Sequence, residues 1–146
     1  MRIAFFLLVL AAVVIYAIYR GGTPERAVAS VALLAVSLDP FVHSVTPVAY
    51  SKMDPGHLVI DVIVWGAFLW VALRANRFWP LCVVSLQTIA LVAHIAKLMD
   101  VSIHPQAYFI MQVASSYPLL ITLAIGTYCH QRRLKEHGTD PSWRSS

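Results

Sequence analysis

Residues 39–61 read DPFVHSVTPVAYSKMDPGHLVID, and this stretch separates two long apolar runs. It contains an Asp and a His four residues apart twice, in opposite order, on either side of a polar turn. Residues four apart lie on one face of a helix, so the members of each pair can act together. If the apolar runs cross a membrane, both pairs are candidate functional groups, because ionisable side chains are unfavourable in hydrocarbon.

The composition predicts an integral membrane protein. Of the 146 residues, 59% are hydrophobic and 12% are charged, against about 25% charged residues in soluble domains. A chain this short could not bury so much apolar surface in one water-soluble core. The net charge of +4 comes from basic residues that cluster beside the apolar runs, which is typical of membrane topology signals rather than of nucleic-acid binding. Two cysteines do not make a disulfide framework.

The apolar runs predict an all-α membrane protein, a bundle of five transmembrane helices formed by residues 1–130. Each run is long enough to cross about 30 Å of hydrocarbon as a helix. A signal peptide is the alternative for the first run, but no small-x-small cleavage site follows, so we expect it to be retained. Pro40 is expected to kink or end the second span, and the polar tail is expected to be mobile. The predicted spans are 3–19, 26–46, 57–74, 79–98 and 106–129, and the tail is 131–146.

The basic residues predict the orientation of the chain. Loops on one side of the five spans hold eight of the 11 Lys and Arg residues, and the other side holds three. Because basic loops stay in the cytoplasm, we expect a multi-pass protein of a bacterial-type plasma (inner) membrane, with its N-terminus outside and its C-terminus inside. Glu25 is interpreted as favouring the positive end of the second helix. His130, His137 and the basic run 132–135 are interpreted as an anchor at the membrane surface, not a ligand site.

Counting residues along each span places several ionisable side chains at one depth. At about 1.5 Å per residue, Asp39, Asp61 and His94 lie roughly 20 Å from the cytoplasmic edge of their spans. Lipid does not solvate such groups, so they are expected to face one another in a pocket that opens to the outside. The candidate ligand or metal-binding residues are Asp39, His43, His57, Asp61 and His94, with Lys97, His104 and Gln112 in support around them.

This set of residues fits several functions. Asp and His suit zinc or another divalent metal, although no signature such as HExxH accompanies them. Proton sites and hydrogen-bonded braces are the commoner uses of such groups inside spans. Haem is disfavoured, because His94 lies about a turn deeper than His43 and His57.

We therefore expect a binding protein for a proton, a divalent metal or a small polar ligand, as an accessory subunit of a membrane complex. One alternative is a metal-dependent hydrolase embedded in the membrane, which would use the same residues to activate water. The other is a structural assembly factor with no ligand, in which the cluster only braces the helices. The expected partners are the lipid bilayer and another membrane protein, not nucleic acid. The sequence leaves open whether the protein is an enzyme.

Overall fold

Helices account for most of the described chain. The computed structural model describes residues 2–45, 55–99, 106, 110 and 115–144. Within these ranges the long helices are α1 (Arg2–Arg20), α2 (Thr23–Val45), α3 (Pro55–Arg74), α4 (Trp79–Met99) and α5 (Ser116–His137). The only β-type pairing among the same residues is one isolated bridge, between Ala75 and Trp143. The predicted all-helical class is confirmed.

Two helices continue past points where the sequence offered an end. Helix α2 continues through Pro40 to Val45, close to the predicted end of the second span at residue 46, so the proline does not end it. Helix α5 continues beyond residue 129 to His137, into the stretch expected to be tail. It ends there because Gly138 adopts a left-handed conformation, with φ of 73°, and its N–H bonds to the carbonyl of Leu134 at 3.0 Å. This is the usual way in which glycine closes a helix.

The five helices close into one bundle. Helices α1 to α4 each pack against the next one in the chain, and α5 packs against α4, α1 and α2. Every helix contributes at least one nearly fully buried apolar side chain to a common core, including Ala17, Val28, Phe68, Val83 and Leu123. Polar side chains that turn inward from neighbouring helices are therefore brought within hydrogen-bonding range of each other.

Large apolar side chains also cover the outside of the bundle. On each helix at least one is more than half exposed, as shown by Leu8, Leu34, Ile63, Val92 and Ile121. Soluble monomers rarely expose contiguous apolar patches larger than a few hundred Å². An apolar exterior on all five helices is typical of a surface that contacts lipid or another apolar partner.

Two helices are long and apolar enough to cross a membrane. Within the described residues these segments are Gly56–Arg74 in α3 and Trp79–Lys97 in α4, and Ala4–Arg20 in α1 is apolar but shorter. Helices α2 and α5 are more polar, because α2 carries charged residues in its first turn and α5 ends in a basic run. Long apolar segments are thus found in the α3–α4 hairpin, while α1 is equally apolar but shorter.

Candidate functional site

Asp61 and His94, which were predicted to lie at one depth, belong to a hydrogen-bonded group that joins α3 to α4. Gln87 donates from Nε2 to Oδ1 of Asp61 at 2.9 Å, and Nε2 of His94 lies 2.9 Å from Oδ2 of the same carboxylate. The side chain of His94 is fully buried, whereas that of Asp61 is 23% exposed. We call these three residues the Asp61 triad. Both oxygens of its carboxylate are engaged by side chains of the neighbouring helix.

The triad follows from helical geometry. Gln87 and His94 are seven residues apart, which is about two turns of a helix, so both project from one face of α4. That face packs against α3, the helix with which α4 makes most of its contacts. Asp61 lies on α3 at the level between them and can accept from both. The sequence predicted Asp61 and His94 at one depth, and Gln87 was not among the predicted site residues.

The other predicted residues have different relations to the triad. Lys97 lies one turn beyond His94 and is 2% exposed, so it is buried in the same hairpin. His57 lies one turn before Asp61 on α3 and is partly buried. Asp39 and His43 belong to α2, but their side chains lie outside the described part of the structure, as do the whole residues His104 and Gln112.

The triad itself offers few metal ligands. No three His, Cys, Asp or Glu side chains converge into a possible metal site within the described residues. The triad itself offers a metal only Asp61 and His94, whereas zinc takes three or four protein ligands. A carboxylate and an imidazole in direct contact can, by contrast, share one proton.

A second polar cluster lies at the opposite end of the bundle, around Asp140. Its carboxylate accepts from Nη2 of Arg77 at 2.8 Å, from Nδ1 of His130 at 2.6 Å and from Nε of Arg133 at 3.0 Å. Burial alone would raise the pKa of Asp140, but the hydrogen bonds from Arg133 and His130 and the charges of Arg77 and Arg133 outweigh it. The pKa is therefore lowered, and the carboxylate stays ionised at neutral pH.

Arg77 also joins this cluster to a buried acid, Glu25. The two side chains form an ion pair and are 2% and 0% exposed. The indole Nε1 of Trp79 donates to the same oxygen of Glu25 at 3.2 Å. A charged pair this deeply buried is stable only when its partners are fixed in place. We call Glu25, Arg77, His130, Arg133 and Asp140 together the tail cluster.

Two glycines allow the helices to approach closely at the tail cluster. A Cβ at Gly22 would lie 3.0 Å from the ring of His130 and 3.1 Å from Oε2 of Glu25. A Cβ at Gly126 would lie 2.8 Å from the ring of Trp79. A Cβ at Gly126 therefore fits only if Trp79 shifts, whereas at Gly22 the neighbouring side chains would have to give way by a few tenths of an ångström.

The tail is held against the α3–α4 loop rather than being free. The N–H of Asn76 bonds to the carbonyl of Ser142 at 3.2 Å, and the N–H of Arg144 bonds to the carbonyl of Arg74 at 2.9 Å. The indole of Trp143 packs edge-on against Trp70, with ring centroids 5.8 Å apart. Residues 142–144 thus contact the α3–α4 loop through partners that spacing along the chain does not reveal, and the mobility of the tail stays a prediction.

Sequence reasoning missed the tail cluster. His130 is 7% exposed and bonded to Asp140, so its interpretation as a surface anchor is wrong. Glu25 was assigned to the end of its helix, but it pairs with Arg77, which is 52 residues away. The signal was present, because the same residue counting places Glu25, Arg77 and His130 at the cytoplasmic ends of three predicted spans.

Comparison with known proteins identifies no relative of the chain, because no family model, curated protein or solved structure matches it.

Proposed function

We propose that this protein is a multi-pass membrane protein whose Asp61 triad binds and releases a proton inside a five-helix bundle. In the proposed topology all five helices cross a bacterial-type plasma membrane, with the N-terminus outside and the tail in the cytoplasm. The apolar exterior of all five helices supports this placement, as does the uneven distribution of basic loops. Its role would be that of an accessory subunit in a larger membrane complex.

The contact between Asp61 and His94 carries the proposal. As an ionised carboxylate with a protonated imidazole, or as a neutral acid with a neutral imidazole, the pair has no net charge. Gain or loss of one further proton leaves a single charge in an apolar bundle, where charges interact strongly. Gln87 holds the carboxylate of Asp61 in position. A change in the protonation of Asp61 or His94 therefore alters the hydrogen bonds between α3 and α4.

The partial exposure of Asp61 supports exchange of the proton with the surroundings. His94 is fully buried, but the carboxylate it contacts is 23% exposed. In the proposed mechanism a proton would enter through Asp61, the more exposed partner, from the pocket that opens to the outside and would reach His94 across one hydrogen bond.

Infrared difference spectroscopy of the full chain in lipid nanodiscs tests the proposal. When the triad gains or loses its proton, its carboxyl and imidazole bands are expected to change together. Asp61→Asn should remove the change while keeping the hydrogen bonds, because its amide has nearly the same shape. Asp140→Asn, in the tail cluster, is the matched control and should retain it. A spectrum that Asp61→Asn leaves unchanged would show that the triad is only a brace.

Two further measurements complete the test. Metal analysis of the purified protein is expected to find no stoichiometric zinc, and about one zinc per chain would assign the triad to a metal site instead. Single cysteines at Ser51 and Ser146, in a background lacking Cys82 and Cys129, report topology through an impermeant maleimide. Ser51→Cys should react from outside the cell and Ser146→Cys only after permeabilisation. The reverse pattern would overturn the proposed orientation.

A further inference from the structure

Buried donors in the tail cluster are left without hydrogen-bond partners. Arg77, His130 and Arg133 donate three hydrogen bonds to Asp140, whose two oxygens can accept about four. Among the described residues, three buried side-chain atoms have no hydrogen-bond partner: the donors Nε of Arg77 and Nη2 of Arg133, and the acceptor Oε2 of Glu25. Buried donors without a partner are rare in folded proteins, and each such group calls for an explanation.

The two unsatisfied donors, on Arg77 and Arg133, lie on the edge of each guanidinium group that can bind an oxyanion. In a guanidinium group, Nε and Nη2 lie on the same edge, and that edge binds an oxyanion with two parallel hydrogen bonds. Arg77 uses Nη2 of this edge for Asp140 and leaves Nε unpaired. Arg133 uses Nε of the edge and leaves Nη2 unpaired. Each arginine thus turns its two-donor edge toward Asp140 and has only half of that edge filled.

A tetrahedral oxyanion suits this arrangement better than a carboxylate. A phosphate group has more oxygens than a carboxylate and can fill both edges, while His130 donates to another oxygen. When Asp140 leaves, Glu25 is the carboxylate that remains beside Arg77. Two guanidinium groups against that one acid leave the site with net positive charge, as an anion requires.

We propose that the tail cluster is a phosphate-binding site that Asp140 occupies in place of its ligand. The site would take a phosphate group, either free or carried by the headgroup of an anionic lipid. The tail would then be an internal competitor, which occupies the site until a phosphate group displaces it. This inference goes beyond the proton site and does not depend on it, because the two clusters share no residue.

The attachment of the tail is compatible with release. Gly138, with φ of 73°, joins the tail to α5 and allows the chain to turn there. Besides Asp140, the tail is held by the two backbone hydrogen bonds at Asn76 and Arg144 and by the contact of Trp143 with Trp70. A competitor on a short linker acts at an effective concentration of about millimolar, so its removal should expose the site to ligand.

Phosphate binding to the full-length protein tests the proposal. Inorganic phosphate is titrated into nanodiscs of neutral phosphatidylcholine, and a second arm uses nanodiscs that contain phosphatidic acid. Asp140→Asn should raise the apparent affinity for phosphate about tenfold or more, because the competing state no longer lowers the fraction of competent sites. Displacement of the tail is followed in parallel by the near-ultraviolet circular dichroism of Trp143, whose packing on Trp70 is then lost.

Adjacent arginines provide the matched controls. In the Asp140→Asn background, Arg133→Gln should abolish the gain in affinity. Arg132→Gln should retain it, because Arg132 pairs with Glu136 on the exposed face of the same helix. Tightening in the neutral nanodiscs identifies free phosphate as the ligand, whereas displacement only with phosphatidic acid identifies a lipid headgroup. The proposal is overturned if Asp140→Asn binds no more tightly in either arm, or if the two arginine variants weaken binding equally.

Discussion

Removal of Arg77 should destabilise the protein more than any other single substitution at the tail cluster. Arg77→Met keeps the length and apolar stem of the side chain but leaves Glu25, which is 0% exposed, without its counter-charge. The remaining hydrogen bond to that carboxylate comes from Trp79 at 3.2 Å. Breaking one side of a buried ion pair typically costs about 3–5 kcal/mol, and we expect a loss of about 4 kcal/mol here.

Glu25→Gln should cost less, because the amide can still accept from Arg77 and Trp79, and Asp140 still balances the charge of the arginine. We expect about 2 kcal/mol, the value of one hydrogen bond to a charged group. The double variant contains neither buried charge. Its loss of stability should therefore be smaller than the combined losses of the single variants by about 2–3 kcal/mol.

Reversible unfolding in mixed micelles, followed by far-ultraviolet circular dichroism, measures all four members of this double-mutant cycle. The control is the equivalent cycle on Arg132 and Glu136, whose side chains are 66% and 47% exposed. That pair should show no measurable coupling, because solvent screens it. If the losses for Glu25 and Arg77 add to within about 0.5 kcal/mol, the two residues are not coupled and the reasoning fails.

Three further predictions address packing, pH and the triad. Gly126→Ala should destabilise the bundle by about 1–3 kcal/mol in the same unfolding assay, because the added Cβ meets the ring of Trp79. Gly66→Ala is the control and should not destabilise the bundle, because its Cβ meets no atom within 4 Å. Equal effects of the two substitutions would refute the packing argument. The pKa of Asp140 is lowered from 3.8. The contribution of Asp140 to holding the tail is therefore complete above pH 3.8 and is lost as the pH falls through the lowered pKa. The near-ultraviolet circular dichroism spectrum should show this acid transition, and Asp140→Asn should lack it. Gln87→Leu should cost roughly 0.6 kcal/mol, as for other hydrogen bonds between membrane helices, and a loss several times larger in the unfolding assay would mean that Gln87 does more than position the carboxylate.

Residue counting worked where both partners lie on regular helices. Asp61 and His94 were predicted at one depth because rise per residue converts position in a helix directly to height. The contact between them also requires α3 and α4 to be neighbours, which a short connection between antiparallel helices favours. Asp39 and His43 were predicted in the same pocket, and that prediction remains open because their side chains lie outside the described part.

Counting failed at the tail for a different reason. Asp140 follows the end of α5, where the chain is no longer helical and no period relates sequence to position. Its partners Arg77 and His130 are 63 and 10 residues away. Residues 138–142 are Gly, Thr, Asp, Pro and Ser, a composition that predicts a loop. This composition does not indicate that Trp143 packs against Trp70.

The sequence by itself determined the helical class, the apolar character of the α3 and α4 segments and the ends at which charge accumulates. These follow from local periodicity and composition, which need no knowledge of which helix packs against which. The tertiary structure alone decided that Glu25 meets Arg77, that Asp140 takes three donors and that Gln87 completes the Asp61 triad. Such pairings depend on how neighbouring helices are rotated and how a non-helical tail folds back, and those are set by the packing of the whole bundle.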